Sequence, residues 1–119
     1  MPAGKYNFTI EQGTKFSRDF AWKNGDRTPV NITGYTFRMM ARHKHDDPES
    51  IISLSTFEPP GGISIVDAAN GRFRISLTQA QTTALSFNEA IYDLEAVPPA
   101  NEAIRVLEGK IILSREVTK

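Results

Sequence analysis

The chain has 119 residues, the size of one domain with a real hydrophobic core and no room for a second. Lys plus Arg (14) balances Asp plus Glu (14), so no net field draws it to bare nucleic acid or to an anionic membrane surface. Zero Cys excludes disulfides, thiolate metal sites and a Cys nucleophile, and no run approaches the ~18 apolar residues of a spanning helix. The opening MPAGKYNFTIEQ holds no apolar leader, so the expectation is one soluble domain, residues 1–119, made in the cytoplasm.

Alternation with a period of two, the mark of half-buried strands, recurs along the chain. In KYNFTIE, Tyr6, Phe8 and Ile10 share one face, and Asn7 and Thr9 share the other. In TKFSRDFAW, Phe16, Phe20 and Trp22 form an apolar face interrupted by Arg18, an ionisable residue that needs a sheet edge, a carboxylate or a partner surface. Asn24-Gly25 predicts a tight hairpin turn with φ > 0, and Pro29 restricts the next segment to an edge or a short strand.

GYTFRMMAR resumes the alternation, with Tyr35, Phe37, Met39 and Ala41 set against Thr36, Arg38, Met40 and Arg42. After the polar loop HKHDDPES, IISLSTFE reads as a further strand, and the Pro-Gly break PPGG closes it. ISIV and RFRISL then form a hairpin across Asn70-Gly71. In LTQAQTTALSF, Thr78 is the expected N-cap of one or two helical turns, with Ala80, Ala84 and Leu85 at helical spacing and two Thr residues weakening it.

The closing segment is a hairpin. AIYDLEAV turns Tyr92, Leu94 and Ala96 inward, with Ile91, Asp93 and Glu95 outward against Lys110 or Arg105. In its partner strand, Ile104 and Val106 have one parity, while Leu107, Ile111, Leu113 and Val117 have the other. This predicts a bulge around Leu107, Glu108 and Gly109, with Gly109 as the pivot. The sum is an all-β fold: an antiparallel immunoglobulin-like β-sandwich of about eight strands with one short helical turn at residues 78–85. A small barrel is the alternative.

Few residues have the pattern of chemistry. His43-Lys44-His45-Asp46-Asp47 gathers two imidazoles and two carboxylates, but the intervening Lys and the lack of further ligands favour a solvated loop. Asp93 and Glu95 share a strand face and read as an outward polar face. Asn7-Phe8-Thr9 and Asn31-Ile32-Thr33 match the glycosylation triplet, which carries weight only in a secreted protein. Phe16, Phe20, Trp22, Phe37 and Met39 have the spacing of a core face more than of a glycan or nucleic-acid platform. No phosphate loop, nucleophile elbow or triad is present, so the chain is expected to be no enzyme, with no cofactor, no metal and no small-molecule substrate.

The C-terminal half, from the turn at Asn70-Gly71 through T-x-x-x-T-x-x-L at Thr78 to Leu85, Tyr92-Asp93-Leu94, and Gly109 to Val117-Thr118, resembles small tailed-bacteriophage virion proteins. In particular it is similar to the β-sandwich module at the N-terminus of baseplate and fibre-anchoring proteins. The resemblance implies a structural subunit of the virion that docks onto other virion proteins and copies of itself, without direct nucleic-acid or membrane contact. The sequence stops at Lys119 with no coiled-coil extension, which fits an adaptor of the tail, neck or fibre base, or a capsid decoration protein, better than a fibre. The expected interface has two parts. One is a flexible N-terminal arm, Met1, Pro2, Ala3, Gly4 and Lys5; the other is the outward pair Ile91 and Ile112 beside alternating charge.

Overall fold

The computed structural model describes residues 4–44, 51–56, 62–99 and 102–115. Among them, nine strands form two sheets. They are β1 (Gly4–Lys5), β2 (Phe8–Glu11), β3 (Phe16–Ala21), β4 (Thr36–Arg42), β5 (Ile52–Ser55), β6 (Ile63–Asp67), β7 (Arg72–Leu77), β8 (Glu89–Val97) and β9 (Ile104–Ser114). The larger sheet runs β1-β9-β8-β4-β5 with β2 also on β9, and the smaller runs β3-β7-β6.

The alternation sorts the faces as the sequence predicts. On β8, Ala90, Tyr92, Leu94 and Ala96 are buried and their neighbours are not; on β4, Phe37, Met39 and Ala41 are buried. These inner faces meet Phe16, Phe73, Ile75 and Leu77 of the smaller sheet, with Phe37 stacked on Phe73 at 4.7 Å between ring centres. Each such side chain contributes roughly 1.5–3 kcal/mol through burial. Two packed sheets with one aromatic core make a sandwich-like, mostly β structure.

The sheets are not wholly antiparallel, however. β1 and β2 run parallel to β9, with Gly4 opposite Leu107 and Phe8 opposite Ile111. A period of two fixes which face a side chain takes but not the direction of its neighbour. β8 and β9 are joined as a hairpin, which leaves the far edge of β9 open to the opening segment of the chain, and the long route between them permits a parallel pairing.

Three local expectations are corrected. The bulge in the closing hairpin lies at Val106, since Leu94 pairs with Leu107 and Glu95 with Arg105. Gly109 is not its pivot; it lets another backbone come close, as a Cβ there would lie 2.2 Å from the Tyr6 carbonyl oxygen. In the first turn the left-handed residue is Arg27 (φ 71), not Gly25. That loop is tied instead by Asp26, whose Oδ1 accepts from Thr28 N–H and Oγ1–H, and this holds the Asp26 carboxyl below its usual range.

The helix α1 (Gln79–Thr83) begins at Thr78 as expected, with a capping box closed by Gln81. Its buried residue is Thr82, while Ala80 and Ala84 face solvent. The Thr82 hydroxyl donates to the Thr14 carbonyl at 2.7 Å and accepts from Gly13 N–H at 3.1 Å. A residue that weakens the helix thus anchors it to the β2–β3 turn.

Of the expected N-terminal arm, Met1, Pro2 and Ala3 lie outside the described residues, and Gly4 and Lys5 belong to the chain's own sheet. Their backbone finds partners on β9, opposite Leu107 and Glu108.

Candidate functional site

The outer face of the larger sheet is built by the residues that the alternation turns away from the core. Cross-strand register sets them in rows: Lys110, Ile91 and Arg42 in one, Glu108, Asp93 and Met40 in the next, then Arg105, Glu95 and Arg38. Ile112 stands opposite Glu89 and lies diagonally from Ile91, so the two isoleucines share this face. Ile112 is 46% exposed and Met40 39%, with Ile91 half-buried between them.

Charge frames these apolar side chains. Arg38 Nε is 2.7 Å from Glu95, Lys110 Nζ 3.1 Å from Glu89 and Arg105 Nε 3.7 Å from Asp93. Of the outward carboxylates, Asp93 thus meets Arg105 as the sequence implies, whereas Glu95 pairs with Arg38 and Lys110 with Glu89. Asp93 and Glu108 stand directly opposite each other, a like-charge pair that the neighbouring Arg105 and Lys5 offset. A hollow of about 460 Å³ opens here, walled by Met40, Arg42, Ile91, Asp93, Glu108 and Lys110. Arg42 lies over the Met40 sulfur at 3.7 Å.

Met40 is the member of this patch that sequence reasoning missed. Its parity already set it with Arg38 and Arg42, away from the core, but only the register brings it beside Asp93 and Ile91.

Several of the remaining described candidates have structural roles. His43 is exposed just past β4; His45, Asp46 and Asp47 lie outside the described residues. Among the described residues, no three His, Cys, Asp or Glu side chains gather as a metal site. Asn7 Oδ1 accepts from Lys110 N–H at 2.9 Å, and Asn31 Oδ1 closes a local turn with Thr33. Arg18 donates to the Tyr6 hydroxyl and lies over the Phe16 ring, so its partners are aromatic and not a carboxylate. Burial pushes the Tyr92 phenol up, and its hydroxyl donates to the Tyr6 carbonyl at 2.6 Å. On the outer face of the smaller sheet, the Arg74 guanidinium holds the Asp19 carboxyl below its usual range.

No protein-family model matches the chain, and no match is found among the curated proteins.

Proposed function

We propose that this chain is a non-enzymatic structural subunit of a tailed-bacteriophage virion, an oligomeric adaptor or attachment protein of the tail, neck or fibre base. In this reading the sandwich is immunoglobulin-like, as its size, short strands and two-sheet division support. The observation that carries the proposal is the outer face of the larger sheet, where Met40, Ile91 and Ile112 form an apolar centre within a rim of paired charges. That composition suits a protein interface, because the centre gains from losing water and the rim sets register. The partners are other virion proteins and copies of this chain, and the balanced charge leaves no long-range repulsion between copies.

A capsid decoration protein is the nearest alternative, and a ligand-binding sandwich is a second reading. The latter is favoured by one observation, an apolar cleft between the sheets.

Ile112→Asp and Met40→Glu test the proposal, since both side chains are exposed and the variants should keep the fold. Mass spectrometry of purified particles should find the parent chain and neither variant. Normal incorporation of both variants, or absence of the parent from particles, refutes it.

A further inference from the structure

A three-stranded sheet packs against a larger one, and one gap lies at the start of β9, beside Ile104 to Leu107. There the two sheets part and leave a cleft of about 360 Å³. Its floor is the stacked pair Phe20 and Phe73, with ring centres 5.4 Å apart. Trp22 walls one side, and Ile104, Val106 and Leu107 of the bulged β9 wall the other. Phe20 and Trp22 are only half-buried and Ile104 is 38% exposed, although all three have the chemistry of core residues.

The polar lining of the cleft has one sign. Among the described residues, Lys23 and Arg105 are the two charged ones that line it, and no carboxylate does. Lys23 has no ion-pair partner among the described residues. Arg105 also borders the cleft, but it stands opposite the outward Glu95 and its Nε lies 3.7 Å from Asp93, so its guanidinium belongs to the outer face and Lys23 is the cation left to the cleft.

We propose that this cleft binds a small amphipathic anion, with an apolar body against the Phe20–Phe73 floor and a carboxylate held by Lys23. The volume falls in the range of small-ligand pockets, about 300–1,000 Å³. An apolar body gains from contact with the aromatic floor and the β9 wall, and the Lys23 ammonium selects an acid over an amine of the same length. The inference is independent of the virion reading, and a ligand held in this way need not be transformed.

Trp22 is the chain's only tryptophan, so its emission reports on the cleft alone. Titration of the full chain with sodium octanoate should shift that emission saturably, and octylamine should need at least about tenfold more for the same shift. Lys23→Glu should weaken octanoate about tenfold and remove the preference for the acid. Ile104→Glu should remove binding of both probes, with far-ultraviolet circular dichroism unchanged. Equal binding of acid and amine, an emission that octanoate does not move, or a Lys23→Glu variant that binds octanoate as the parent does each overturns the proposal. So does binding seen only after removal of residues 1–3, which would assign the cleft to the chain's own N-terminus.

Discussion

Gly109→Ala should be among the most damaging single-methyl changes in this protein. The added Cβ would lie 2.2 Å from Tyr6 O and 2.8 Å from Asn7 Oδ1, so the segment between β1 and β2 must lift away from β9. Three hydrogen bonds are at stake: Tyr6 N–H to Glu108 O (3.0 Å), Lys110 N–H to Asn7 Oδ1 (2.9 Å), and Tyr92 Oη–H to Tyr6 O (2.6 Å). The first two are each worth about 1 kcal/mol net, and stranding the buried Tyr92 hydroxyl costs a further 1–3 kcal/mol. A loss of about 3–5 kcal/mol is therefore expected in urea unfolding followed by circular dichroism, with the midpoint lowered and the slope unchanged. Gly25→Ala is the matched control. Nothing lies within 4 Å of its Cβ and its φ is not positive, so this change should be neutral or stabilise by up to about 1 kcal/mol. Equal effects from the two changes, or a Gly109→Ala loss below about 1 kcal/mol, would refute the close approach described for Gly109.

Leu94→Ala, at a fully buried position, should cost about 2–5 kcal/mol, whereas Asp93→Ala should stay within roughly 1 kcal/mol. Equal values in urea unfolding would overturn the β8 register. Because the folded Tyr92 phenol titrates above its usual 10.0, its contribution is complete below pH 10 and falls as the unfolded chain alone releases the proton. The stability of the parent relative to Tyr92→Phe should thus decline above pH 10, by up to about 1.4 kcal/mol per pH unit, and a flat difference would be contrary evidence. Thr82→Val should lose about 1–3 kcal/mol through the stranded Gly13 N–H and Thr14 carbonyl, and Thr82→Ser should recover most of it in thermal unfolding.

The faces of the strands were legible because burial imposes a period of two. Tyr92 and Leu94 turn inward while Ile91 and Ile112 turn outward, as their parity requires. Partners were not legible, because parity is blind to direction: nothing in KYNFTIE says that it lies parallel to the last strand. Glycine misled twice. Gly109 invites reading as a hinge and Gly25 as a left-handed turn residue, when one admits a neighbouring backbone and the other has only open space around it. The outer patch was two-thirds visible, since Met40 joins it through register alone. The cleft was hidden for a different reason. Phe20 and Trp22 carry the pattern of a core, and only the gap at the start of β9 leaves them half-covered.

The parallel pairing of the first and last strands also decides how the domain bears load. Gly4 lies beside Leu107 and Glu11 beside Ser114, so the backbone enters at one end of this strand pair and leaves at the other. Tension applied to the two ends draws β2 and β9 past each other along their length. The rungs from Phe8–Ile111 to Glu11–Ser114 then share the force together and must fail at once, whereas a hairpin pulled open at its ends yields one rung at a time. A protein joined to its neighbours through both ends would be stiff and brittle along that axis, and much softer when pulled across the β8–β9 hairpin.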